Sequence, residues 1–170
     1  MFRWVAGYLV GLLIFGVLFP ALLIAAGKLY PVPLFFFPAM GQLIALMLFV
    51  PGLVFVFWSN LDLVKYGKGG PADFSGWSIS PRTIHLVVKG SYRYTRNPMV
   101  FGISGIYLAI CTWMNSAIAA GIWILFLILV ALYIKWVEEP RLIRDFGDSY
   151  RQYRCRVPML FPFAYFYPKL

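Results

Sequence analysis

Two short stretches of this chain carry side chains able to do chemistry. The first, Lys89 to Gly102 (KGSYRYTRNPMVFG), gathers Arg93, Arg96, Tyr92, Tyr94, Asn97 and Pro98 just before a long apolar run. The second opens at the far end of that run with Lys135 and the adjacent carboxylates Glu138 and Glu139. Guanidinium groups present a fork of donors that fits a carboxylate. Tyrosine rings offer a face to a cation, and a carboxylate accepts hydrogen bonds from ammonium or hydroxyl groups. Such a set can bind a small charged ligand. It can equally form a structural ion pair that pins two segments at a membrane surface, since partly desolvated charges are costly unless paired or used. His85, the single histidine, is expected to pack in a loop, which leaves no dedicated base, and no metal site is expected.

These residues have to be positioned in lipid. The 170 residues are 62% hydrophobic and 12% charged, a composition outside the soluble class. The net charge of +9 falls at the edges of apolar segments rather than along a soluble face, so anionic headgroups are the expected neighbours and nucleic acid is not. The expected fold is an all-α integral membrane protein of about four spanning helices, a single membrane-embedded domain over residues 1–170. Residues 1–62 supply two N-terminal spans, 63–96 a cytoplasmic loop, 97–137 a helical hairpin and 138–170 a cytoplasmic tail. The first span lies between Arg3 and Lys28 and is expected to stay uncleaved, with Pro20 a kink whose freed carbonyl a neighbouring helix must satisfy. Pro31 and Pro33 make a turn, and the second span runs from about Pro38 to Asn60 with Pro51 inside it. In the loop, Trp77 and Ile79 read as apolar anchors.

The uncharged run from Asn97 to Ile134 would reach about 57 Å as one helix, nearly twice the hydrocarbon core. It must fold back at Asn115-Ser116, giving helices Pro98 to Met114 and Ala117 to Trp136. The hairpin brings Arg93, Arg96 and Asn97 level with Lys135 to Glu139. Beyond it, Leu142, Ile143, Phe146, Tyr150 and Tyr153 recur at helical spacing among charged residues, an amphipathic segment interrupted at Gly147 that can cover the hairpin's end. The loop from Lys65 to Arg96 holds six Lys or Arg and the tail from Lys135 seven, against one in the turn near Lys28, which predicts both termini and the site on the cytoplasmic side. Cys111 and Cys155 are expected at opposite ends of the membrane with no disulfide. Gly7, Gly11 and Gly16 on the first helix could support a homodimer.

HLVVKGSYRYTRNPMVFG, followed by EEPRLIRDFGDSYRQYRCRVP and Phe-Pro-Phe, resembles the isoprenylcysteine carboxyl methyltransferase family and its prokaryotic relatives, within a phospholipid methyltransferase-like superfamily. The resemblance covers residues 84–163. It implies S-adenosyl-L-methionine as cofactor, lined by the positions matching Leu86, Val87, Tyr92, Asn97, Pro98, Met99, Val100 and Glu138. Arg93 and Arg96 are candidates for holding a carboxylate of cofactor or substrate, and Lys135 and Glu139 complete the candidate catalytic set. Asn97 stands where the family has His, so no proton transfer is assigned there. Val100 replaces the usual Tyr. An Arg that precedes the carboxylates in the eukaryotic enzyme has only Lys135, one position off, as its counterpart, which weakens the case for an isoprenylcysteine substrate.

The expected function is methyl transfer to a lipophilic, anionic acceptor, a carboxylate or thiol. Phospholipid N-methylation, a nicotinamide-dependent membrane reductase and a non-catalytic membrane subunit are the alternatives. Transport is disfavoured because no ionisable group lies mid-membrane.

Overall fold

The computed structural model describes residues 2–35, 37–69, 73–74, 77–78 and 83–162. Helix α1 comprises Phe2–Gly11, a π-helical stretch Leu12–Leu18 and Phe19–Leu29. Helix α2 is Pro38–Asp62, prolonged by a π turn Leu63–Gly67. A short 3-10 turn, Gly90–Arg93, precedes α3, Pro98–Trp113, and α4, Ala117–Tyr133. Through a further π turn, Ile134–Glu138, α4 runs on into α5, Glu139–Arg156. The strands among the described residues are β1 (Asp73–Phe74) and β2 (Trp77–Ser78), an antiparallel pair. The anchoring expected of the Trp77 side chain and of Ile79 lies outside what is described.

Among the described residues three helices are long and apolar enough to cross a membrane: Val5–Leu29, Pro38–Gly67 and Ala117–Arg156. The fourth, α3, is shorter. At 16 residues α3 is about 24 Å long, under the roughly 30 Å core. The helix of the second hairpin arm runs on past Glu139 as far as Gly147. There φ +55 and ψ −131 break it, at the interruption the sequence pattern suggests, and a second helical stretch continues to Arg156.

Pro20 produces the π-helical stretch before it rather than a break. Proline has no N–H, so in π register the carbonyl of Phe15 would lose its donor. Tyr107 of α3 supplies one, its hydroxyl lying 2.6 Å from that oxygen. Around this bond Leu23, Tyr107, Cys111, Ala119 and Ala120 form a buried cluster, with Phe19 and Phe126 packed against it. Cys111 is a free buried thiol and Cys155 a free exposed one.

Helices α2 and α3 approach so closely because glycines face each other. A Cβ on Gly52 would stand 2.8 Å from the Gly102 carbonyl, and one on Gly102 would stand 2.6 Å from the Gly52 carbonyl. Small residues at such a seam let backbones pack where lipid offers no hydrophobic drive to associate. The helix runs through Pro51 without ending.

At the far end of the bundle Asn115, with φ +50, makes the hairpin turn. Its side-chain oxygen accepts from Leu34 and Phe35 backbone N–H at 3.0 and 2.6 Å, and its amide donates to the Phe35 carbonyl at 3.1 Å. Ser116 caps α4 by accepting from Ala119 N–H. The hairpin and the loop between α1 and α2 are thus fastened together, which fixes what the hairpin delivers at its other end.

Candidate functional site

At that other end the hairpin brings Arg96 against Glu139. They form a hydrogen-bonded ion pair, with Glu139 4% exposed. Arg96 also lies 3.3 Å from the Tyr150 hydroxyl, and Arg154 reaches the second Glu139 oxygen at 3.2 Å. The loop is bound to α5 as well. The Tyr153 hydroxyl donates to the Tyr92 carbonyl at 2.7 Å. Downstream, the Pro158 carbonyl accepts from Arg96 N–H at 2.9 Å, and the Met159 carbonyl accepts from the Thr95 hydroxyl and the Asn97 amide at 3.1 and 2.9 Å. The tail therefore straps the turn that carries the candidate residues. Asn97 spends its amide on that strap, a use that needs no titratable group.

Two carboxylates, Glu138 and Asp62, lie near the phenol of Tyr92. Burial pushes its ionisation well above the ordinary tyrosine value, and the nearby carboxylates of Glu138 and then Asp62 push it further, so the hydroxyl keeps its proton. Tyr150 and Tyr153 are likewise raised, chiefly by burial, with Arg96 opposing the shift at both. Val87 is buried and Leu86 half-buried, and Ile84 and His85 N–H meet the Gly67 carbonyl. Pro98 begins α3 and is buried, with Met99 and Val100 half-buried on the next positions. Arg93 and Lys135 are exposed, as is His85, which does not pack as the sequence suggested. Its imidazole stays in contact with solvent because the strand of loop around it lies on the surface rather than in a fold of its own.

Sequence reasoning missed Asp62. It is 6% exposed at the end of α2, and its Oδ2 accepts from Ser91 N–H at 2.7 Å and from the Ser91 hydroxyl at 2.8 Å. Gly90, at φ +61, permits this: a Cβ there would lie 2.2 Å from Asp62 Oδ2. The signal was present in the sequence, since Asp62 is the first acidic residue of the chain and ends an uncharged span. Its partner, 29 positions away, was not legible.

Apolar helices closed at one end by a strapped polar cluster define a multi-pass membrane protein. Residues 40–149 match the phospholipid methyltransferase family, and the chain belongs to it. It is similar to methanethiol S-methyltransferase 2 of Bradyrhizobium diazoefficiens, at 38% identity over 94 residues, 52% of this chain and 32% of the relative. The chain thus matches about a third of the length of that curated relative. No solved structure matches it. The resemblance read from the two motifs holds at the level of this superfamily.

Proposed function

We propose that the chain is an S-adenosyl-L-methionine-dependent membrane methyltransferase acting on a lipophilic acceptor, a thiol or a carboxylate, at the cytoplasmic face. The observation that carries this reading is the strapped turn itself: Tyr153 on the Tyr92 carbonyl, Arg96 on Glu139 and Asn97 on the Met159 carbonyl hold Tyr92, Asn97 and the Glu138-Glu139 pair together at one end of the hairpin. A phenol and the Glu138 carboxylate suit a cofactor bearing a sulfonium, an ammonium and ribose hydroxyls. Leu86, Val87, Tyr92, Asn97, Pro98, Met99, Val100 and Glu138 would hold it. The cofactor supplies a methyl group on an already activated leaving sulfur, so the protein has chiefly to align and to exclude water.

Among the candidate catalytic residues, Arg96 and Glu139 hold each other and position the turn, whereas Arg93 and Lys135 are exposed cations available to an anionic head. The relative's printed activity on methanethiol favours sulfur as the accepting atom. Phospholipid N-methylation is the second reading, favoured by the family's name. Isothermal calorimetry of the purified chain tests the proposal. Binding of S-adenosyl-L-methionine, weakened about tenfold or more by Glu138→Gln, is expected. A folded chain that ignores this cofactor, or that prefers a nicotinamide dinucleotide, would sink it.

A further inference from the structure

A cleft of about 660 Å³ opens on the side of the bundle, lined by Tyr8, Phe57, Trp58, Leu61, Asp62 and Lys65 among others. Tyr8, Phe57 and Leu61 are exposed on spanning helices, so the outer wall of the cleft meets lipid. Its inner end is acidic. Asp62 gives only one oxygen to Ser91, and among the described residues no donor reaches Oδ1. Asp62 Oδ1 is not among the buried atoms left without a partner, and Asp62 lines the cleft, so this oxygen is open to a donor brought in there. Around it stand the Tyr92 phenol, which keeps its proton, with Glu138 beyond, and in the cleft Tyr8, Tyr66 and Lys65, whose ammonium lies 5.2 Å from the Tyr66 ring centroid.

We propose that this cleft admits the methyl acceptor from the bilayer and that Asp62 Oδ1 receives its reacting hydrogen, so that the acceptor is a proton-bearing nucleophile, a lipophilic thiol or amine, and not a carboxylate. The inference rests on the methyltransferase reading and narrows it. A carboxylate acceptor would approach two like charges, Asp62 and Glu138, whereas a thiol or ammonium donates to the free oxygen. In the step, the acceptor's sulfur or nitrogen forms a bond to the methyl carbon and the carbon–sulfur bond of the sulfonium donor breaks. The bonding pair stays on the donor sulfur, and the acceptor's proton passes to Asp62.

The test uses the full chain in lipid nanodiscs with labelled S-adenosyl-L-methionine and three probes of equal length, dodecanethiol, dodecylamine and lauric acid. Transfer to the thiol or the amine is expected, and which of the two reacts identifies the acceptor atom. Asp62→Asn retains an oxygen for Ser91, so its thermal transition and its cofactor affinity should match wild type. Transfer should fall about 100-fold or more at neutral pH, as expected for loss of a general base. With the thiol, that deficit should shrink as pH rises toward the thiol's own ionisation. Leu61→Trp, which fills the cleft without touching the carboxylate, should raise KM for the probe and leave cofactor affinity alone. Methylation of laurate, full activity of Asp62→Asn, loss of its cofactor affinity, or no transfer to any probe by cofactor-binding wild type would each overturn the proposal. Failure of wild type to bind the cofactor would overturn the underlying methyltransferase reading as well.

Discussion

Tyr153 donates its hydroxyl to the main-chain carbonyl of Tyr92 across 2.7 Å and, with the Arg96–Glu139 pair, makes the tail helix a wall of the candidate site rather than an appendage. The two residues are 61 positions apart, and the phenol of Tyr153 is buried. Tyr153→Phe keeps the ring and removes only the donor. It should cost about 1 kcal/mol of stability, the net worth of one such bond. It should also increase hydrogen exchange across residues 89–94 and weaken cofactor binding by a few fold, measured by mass spectrometry and calorimetry. Unchanged exchange there would show that the strap is held elsewhere.

The ion pair of Arg96 with Glu139 should matter far more than that of Glu139 with Arg154. Glu139 is buried and Arg96 nearly so, while the Arg154 side chain is 49% exposed. Removing Arg96 as Arg96→Met leaves a buried carboxylate with one exposed partner, a loss of about 3–5 kcal/mol. Arg154→Ala should cost under about 1 kcal/mol, as solvent screens the pair. Thermal unfolding in detergent ranks the two.

Much of the architecture was written in the chain's uncharged lengths. The run from Asn97 to Ile134 was too long for one crossing, and the turn at Asn115 follows. The same geometry anticipated that Arg96 would face the Glu138-Glu139 pair, because antiparallel helices of similar length must bring their ends together. The sequence did not say which carboxylate would take the guanidinium, since Glu138 and Glu139 differ by one helical step of about 100° and only packing selects between them. The partner of Asp62 was hidden for a related reason. That partner, Ser91, follows a glycine whose left-handed backbone is a tertiary fact, set by how α2 ends against the loop. Nor could hydropathy show that the hairpin helix runs on as far as Gly147 before it breaks, because an amphipathic segment after an apolar one has the same pattern whether joined or bent. His85 was misjudged because a lone histidine carries no pattern at all.

Alkaline pH should destabilise the strap selectively. Tyr92 and Tyr153 both have ionisations raised above the ordinary value of 10.0. Between the unfolded and folded values the native state therefore binds more protons than the unfolded one, and stability falls as pH rises. The contribution is complete below about pH 10 and lost above it. Ultraviolet titration of phenolate should show these two groups ionising after the exposed tyrosines, and Tyr92→Phe with Tyr153→Phe should flatten the decline.

The glycine seam between α2 and α3 gives a steric prediction. Gly102→Ala puts a methyl 2.6 Å from the Gly52 carbonyl, and a backbone atom cannot step aside as a side-chain end can. The helices must separate, at about 1–3 kcal/mol. Gly121→Ala, where nothing lies within 4 Å, should be neutral or slightly stabilising, since alanine favours helix. Thermal midpoints of the two variants should therefore move apart, and equal midpoints would mean that the seam does not hold the bundle.

Tyr107 and Pro20 should prove energetically coupled although they do not bond to each other. Tyr107 donates to the Phe15 carbonyl at 2.6 Å, and that carbonyl needs an outside donor because Pro20 brings no N–H to the π-helical register. Tyr107→Phe alone leaves the oxygen unpaired in an apolar interior, at about 1–3 kcal/mol. Pro20→Ala restores an N–H, lets α1 relax toward regular helix and returns a donor to the freed carbonyls. In that background Tyr107→Phe should cost about 1 kcal/mol less, a coupling that a double-mutant cycle on unfolding free energies resolves. If the two effects simply add, the tyrosine hydroxyl is not standing in for the missing proline N–H, and the π-helical stretch must owe its shape to packing against Phe126 and Leu23 instead.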